Sequence, residues 1–135
     1  MSNLNVAEVP LRSQDRANSG RRHLGLLKST HSGTITEIRR IVALTSARGV
    51  RLAPHAWGSG VLFAAGIHIA VATPNCHIPE SSQGWMPMMW ELFNEPFDIR
   101  RDGTVHAPDR PGLGFTLRAD ALERFSYVDG PEYKF

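Results

Sequence analysis

The apolar residues of this chain divide it into a polar lead, two compact hydrophobic runs joined by short punctuated links, and an aromatic tail. Residues 1 to about 27 are rich in Ser, Asn, Gln, Asp and Arg and show no sustained period, which predicts a poorly ordered arm with no core of its own. From residue 34 the pattern sharpens. Ile35, Ile38, Ile41, Val42 and Ala47 recur near helical spacing and Gly49 supplies a stop, so a helix is predicted over about 35–48. "TITE" at its start has the residue types of a capping box, in which Thr34 and Glu37 satisfy free backbone N–H groups. "VRLAP" follows, short and bounded by glycine and proline, and reads as a buried strand that delivers His55 at its C-terminal end.

"GSGVLFAAGIHIAVATP" predicts a second helix, with Ser59 as N-cap and Pro74 as terminator. Its residues are apolar all round, which requires cover on most sides. "CHIPE" at 76–80 reads as a second short strand ending in Glu80. The order helix, strand, helix, strand is that of α/β units with parallel strands. After Glu80 the chain turns aromatic and Met-rich, and Asp102-Gly103 between two strand-like runs predicts a β-hairpin. "DRPGLGFTL" then reads as turn plus strand and "RADALERF" as a short terminal helix. In a closed (β/α)8 barrel the C-terminal edge of the strands carries the active site. His55 and Glu80 are both assigned to that edge.

Composition narrows the class. A chain of 135 residues with 41% hydrophobic content can bury one ordinary core. Charge is uneven: through Arg51 there are nine Lys/Arg against three acids, and beyond it six against ten. The basic residues are spread over the arm and the first helix with no aromatic among them before Trp57, so nucleic acid is not an expected partner. The single cysteine, Cys76, excludes an internal disulfide and fits a reducing, cytoplasmic setting. The most apolar stretch, Val61 to Ala72, is interrupted by Gly66 and His68 and is short of the roughly 20 residues of a membrane span; the start has no apolar signal core. No membrane partner is expected. His68 reads as a packed histidine, and it forms no metal spacing with Cys76 and His77. Trp85, Met86, Met88, Met89 and Trp90 read as fillers of irregular core gaps rather than as a lid.

Three segments, "THSGTITEIRRIVALTSARGVRLAPHAWGSG", "ATPNCHIPE" and "NEPFDIRRDGTVHAPDRPGLGFTL", together resemble the C-terminal end of the mandelate racemase branch of the enolase superfamily, in order and spacing, from about Thr30 to Phe125. The resemblance implies the C-terminal portion of a (β/α)8 TIM-type barrel, an incomplete barrel with its last two strands and flanking helices, followed by a β-hairpin tail that packs on a capping domain in complete relatives. A whole barrel needs roughly 250 residues. The implied chemistry is Mg2+-dependent removal of the proton beside a carboxylate, leading to dehydration of acid sugars (a lyase reaction) or to racemisation. A bound cation stabilises the enediolate, because so weak a carbon acid does not yield its proton to an unaided base at neutral pH.

By the same resemblance His55 falls on the general base at the end of the seventh strand, a role suited to imidazole. Glu80 falls on the carboxylate at the end of the eighth strand, which hydrogen-bonds the substrate carboxylate as it gains charge. The aspartate that the family pairs with its base falls, counting back from Ile35, on Lys28. A lysine repels a protonated imidazole where an aspartate attracts and orients it. "NSGRRHLGL" does not read as the sixth strand, and the family's acidic metal ligands have no counterpart, so no metal ligand is assigned. The expected division is a non-family arm at 1–29, a partial barrel at 30–80 and a tail at 81–135. Unpaired strand edges and apolar helix faces predict self-association or a complementing chain. The leading expectation is a truncated mandelate racemase-like protein, inactive as an isolated chain. The alternatives are one half of a split acid-sugar dehydratase completed by a partner, and a non-catalytic interaction module.

Overall fold

The computed structural model describes the backbone of residues 4–5 and 24–28, and residues 34–76, 78–82 and 84–130 in full. At its centre lies a three-stranded parallel sheet in the order β2-β3-β4, with β2 at Leu24–Lys28, β3 at Arg51–Ala56 and β4 at Glu80–Ser81. Helix α1, Ile35–Ala47, connects β2 to β3, and α2, Gly60–Ala72, connects β3 to β4. The two crossovers are consecutive β/α units.

This corrects the expected strand count. The sheet has three strands among the described residues, and β2 lies inside the stretch read as an arm outside the family unit. Leu24, Leu26 and Leu27 were diluted by Gly25 and by the neighbouring arginines, and leucine lacks the β-branched signature that marks a buried strand. The rest of residues 1–29 lies outside the described residues, apart from β1, Leu4–Asn5, which pairs antiparallel with the tail.

Each helix follows its sequence pattern to a different extent. Helix α2 is capped as expected: the Ser59 Oγ accepts from the Leu62 N–H at 3.3 Å. Seven of its residues are buried, Phe63, Ala64 and Ile67 completely, which is the cover its apolar surface requires. Helix α1 buries only Ile38 and leaves Ile35 and Leu44 exposed. The capping box does not form. Thr34 has the extended backbone of an N-cap but makes no side-chain cap bond, and Glu37 turns outward to pair with Arg40. Gly49 stops the helix as expected, with φ +66°, while the Val50 N–H returns to the Thr45 carbonyl at 2.9 Å.

Along β3, Leu52 packs with Ile38 and Ile69, Gly66 approaches Pro54, and Ala56 packs with Phe63 and Ile67, so even-numbered residues face the helices. Side chains alternate across a strand. Ala53 and His55 therefore take the opposite face, the inner face of the sheet, turned away from α1 and α2.

The second predicted strand is shorter than "CHIPE". Cys76 makes an isolated parallel bridge to Leu52, and regular pairing resumes only at Glu80, opposite His55. Between these points β3 advances three residues and its neighbour four, a one-residue bulge. Pro54 and Pro79, neither of which has an N–H to donate, fall in the gap.

The tail folds back on α2. Helix α3, Pro87–Trp90, is followed by the hairpin β5, Asp98–Ile99, and β6, Thr104–His106, turning at Asp102-Gly103 as expected. Asp102 Oδ1 accepts from the Thr104 N–H at 3.0 Å and hydroxyl at 2.7 Å, and Gly103 takes φ +81°. The strand expected in "DRPGLGFTL" is reduced to a single bridge from Leu117 to Phe93; α4 is Ala121–Arg124. Phe93, Phe97 and Phe115 form a ring cluster, and Met89, Leu92 and Phe93 are buried. Trp85 and Met88 stay exposed, so the Met-rich run fills the core only in part.

Candidate active site

The site is built from the ends of β3 and β4. His55 is the penultimate residue of β3 and Glu80 opens β4, and the two are register partners across the sheet. Their side chains meet: His55 Nε2 lies 3.9 Å from Glu80 Oε2, each side chain about one-third exposed (28% and 31%). The two residues singled out from the sequence thus stand together on the inner face, at the edge where parallel barrel strands end. They open into a depression of about 400 Å³ lined also by Trp57, Ser81, Ser82 and Met86.

Glu80 Oε2 is buried and has no hydrogen-bond partner among the described residues. At 3.9 Å the His55 ring is too far to donate to it. A buried carboxylate oxygen without a donor is costly, and such an atom marks a place where a ligand's donor is expected.

Lys28, on which the resemblance places the family's aspartate, is the last residue of β2 and the register partner of His55. Lys28, His55 and Glu80 therefore occupy one row across three adjacent strands. The structure adds Ser82, Met86 and Trp57 to the site. Nothing in their spacing pointed to chemistry; the signal was their closeness in sequence to His55 and Glu80.

The other titratable groups lie elsewhere. His68 Nε2 donates to the Leu113 carbonyl at 3.0 Å, tying α2 to the tail, which is the packed role expected of it. Cys76 is buried, and burial pushes its thiol up to about 11, against a weaker lowering by its bond to the Ile78 carbonyl, so it is no nucleophile near neutrality. His77 lies outside the described residues. Among the described residues no three of His, Cys, Asp and Glu cluster as a metal site. Glu80 offers one orphaned oxygen, and a single donor does not make a site for a divalent ion, which takes several oxygen ligands. The described residues do not fit Mg2+.

No helix among the described residues is long and apolar enough to cross a membrane.

The family described as "Enolase C-terminal domain-like" matches residues 18–121. A D-galactonate dehydratase family member of Streptomyces bingchenggensis is 40% identical over 100 residues, covering 73% of this chain and 24% of its own length. D-galactarolactone cycloisomerase of Agrobacterium fabrum is 35% identical over 105 residues, covering 72% of this chain and 28% of its own. The crystal structure of an enolase superfamily member from Polaromonas sp. JS666 superposes with a TM-score of 0.67 at 36% identity, over 76% of this chain and 27% of that one. The chain spans about a quarter of the length of these relatives. The matched range includes β2. The fold is of the α/β, TIM-barrel type, and the chain belongs to the enolase C-terminal domain-like family, among mandelate racemase-type members of the enolase superfamily.

Proposed function

We propose that this chain carries the base-and-carboxylate rim of a proton-transfer site acting beside the carboxylate of an acid sugar, and that the 135 residues alone are catalytically silent. The observation that carries the reading is the pairing of His55 and Glu80 at one register position, on the inner face of a parallel sheet, with Nε2 and Oε2 3.9 Å apart. The names of the relatives, a D-galactonate dehydratase family member and a D-galactarolactone cycloisomerase, suggest the substrate class.

In this reading neutral His55 takes the proton from the carbon next to the substrate carboxylate, with Nε2 as the acceptor. In its protonated form Glu80 donates an O–H bond to the substrate carboxylate as that group gains charge. Met86 and Trp57 line the depression. The family's Mg2+ is not assigned to residues of this chain, and none of these steps runs through it. Silence follows from what the rim leaves undone: a base and one hydrogen bond do not stabilise an enediolate sufficiently. The barrel is incomplete in this reading, and further strands, supplied by a complementing chain, restore the reaction. The single buried thiol fits a cytoplasmic setting.

Exchange of the α-proton of D-galactonate in D2O, followed by proton NMR, tests the proposal. The chain alone with Mg2+ is expected to give none. Co-expression with the preceding barrel strands of a dehydratase relative is expected to restore exchange that His55→Ala removes. Exchange by the isolated chain that His55→Ala abolishes overturns the silence, and restored exchange indifferent to His55→Ala overturns the base assignment.

A further inference from the structure

The dipeptide Asp-Gly occurs twice in the chain, at Asp102-Gly103 and at Asp129-Gly130, and both aspartates are exposed. Glycine has no Cβ to obstruct the approach of the preceding side chain to its backbone nitrogen, so these are the pairs at which a carboxyl and the next peptide nitrogen meet most readily. Residue type alone gives the two pairs the same reactivity; their surroundings do not. We propose that Asp129-Gly130 is a site of self-modification, where the backbone closes to a succinimide and reopens to isoaspartate, and that Thr104 guards Asp102-Gly103 against the same reaction.

In this reaction the Gly130 nitrogen attacks Cγ of Asp129 in its acid form. The N–Cγ bond forms, the amide proton leaves with the carboxyl OH as water, and a cyclic imide remains. Water then opens the imide. Attack at the side-chain carbonyl restores aspartate; attack at the main-chain carbonyl leaves the chain running through the former side chain, with an extra backbone carbon and the mass of aspartate unchanged. Water is the only co-reactant.

At Asp102 the attack is opposed from both sides. Oδ1 is held by the Thr104 hydroxyl at 2.7 Å and the Thr104 N–H at 3.0 Å, and the Gly103 N–H, which must be freed, donates to the Arg100 carbonyl at 3.0 Å. The Thr104 hydroxyl first, then its amide, hold the carboxyl below its usual range and so favour the ionised form, the one least open to a nucleophile. Thr104 is itself buried, and its carbonyl accepts from the Arg100 N–H at 2.8 Å, which fixes the guard in the hairpin. At Asp129, by contrast, Oδ1 takes one long bond, 3.4 Å from the exposed Tyr127 hydroxyl, and the Gly130 N–H has no acceptor among the described residues. The difference bears on the support of the site. An extra backbone atom at Asp102 disrupts the turn whose register buries Val105 in the cluster of Phe63 and Ala56, whereas one at Asp129 falls beyond α4, outside the core clusters.

The test is incubation of the full chain at neutral pH, followed by proteolysis and assay of each Asp-Gly peptide for isoaspartate by enzymatic carboxyl methylation. Isoaspartate is expected to accumulate at Asp129 at least about tenfold faster than at Asp102, because two hydrogen bonds to the carboxylate must open at the guarded pair. In urea the two rates should converge. Thr104→Val, which keeps the shape and loses the hydroxyl, is expected to speed the reaction at Asp102 about two- to tenfold, while Thr104→Ser leaves it slow. Absence of isoaspartate at Asp129 would remove the site. Equal rates at the two pairs in the folded chain would overturn the guard, a comparison that needs no variant, and so would an Asp102 rate unchanged in Thr104→Val.

Discussion

Phe63 is the residue whose loss should most directly uncouple the site from its support. It lies on α2, fully buried, in a cluster with Ala56, Ile67, Met89 and Val105. That cluster joins the strand residue next to His55, the helix that crosses behind it, and the hairpin of the tail. The ring makes edge-to-face contacts with Phe97 at 4.8 Å and Trp90 at 6.0 Å. Such ring pairs add about 0.5–1.5 kcal/mol each beyond the area they bury. Phe63→Ala is therefore expected to cost about 3–5 kcal/mol, the usual range for deleting a buried aromatic ring. A domain of this size holds only about 5–15 kcal/mol in total, so the variant forfeits about a fifth or more of it. In urea, with a slope of about 1–2 kcal/mol/M, the midpoint should fall by about 1.5 M or more. Phe63→Leu, which keeps most of the volume, should fall by less than half as much. Far-UV circular dichroism measures both. A midpoint for Phe63→Ala within about 0.5 M of the parent would refute the claim that this ring joins the strand, helix and hairpin.

Two further predictions concern the packing around the same support. Gly60→Ala places a Cβ 2.8 Å from the Met89 carbonyl oxygen and 3.1 Å from the Phe93 ring, and backbone cannot swing aside; a loss of about 1–3 kcal/mol is expected in urea unfolding, and an unchanged or raised midpoint would show that α2 and α3 are not so closely apposed. Glu95 accepts from the Thr116 N–H at 2.8 Å and from Arg110 at 2.9 Å, and these bonds, the Thr116 amide first, hold its carboxyl down at about 2 against an ordinary 4.5. The ionised form is the one favoured in the fold, so its contribution is complete above about 4.5 and is lost as pH falls through about 2. The Thr116 amide proton should accordingly titrate near pH 2 in NMR, and a midpoint near 4.5 would contradict the tether.

The elements whose determinants are local were legible in the sequence. Helix α2 needed only its continuous apolar run, the Ser59 cap and a glycine before it, and the hairpin needed only Asp102-Gly103 between two runs. Features settled by competition or by distant partners were not. Glu37 had a choice between the N-terminal N–H groups and Arg40, and at an exposed helix start the arginine won. Strand β2 has no local signature, because its five residues are a strand only through pairing with β3, more than 20 residues on. The pairing of His55 with Glu80 was legible by family resemblance, not from composition; taken alone, each is an ordinary polar residue near a turn. Met86 and Ser82 reach the depression only because the chain after β4 folds back, which no periodicity encodes.

The bulge in the ladder is what makes the site possible. Continued without interruption from the Leu52–Cys76 bridge, the register would set Pro79, not Glu80, opposite His55. Because side chains alternate from face to face, Glu80 would then point toward the helices and away from the imidazole. The extra residue between Cys76 and Glu80 returns the carboxylate to the inner face. The two prolines make this change of register tolerable. The Leu52 N–H donates toward the Asn75 carbonyl, so two residues on, the nitrogen of Pro54 faces the same interrupted side, where a donor would have found no partner. Pro79 likewise presents no N–H within the gap. The motif "VRLAPHA…CHIPE" thus encodes more than two short strands: its prolines sit where the ladder must break for a histidine and a glutamate to share one face of a parallel sheet.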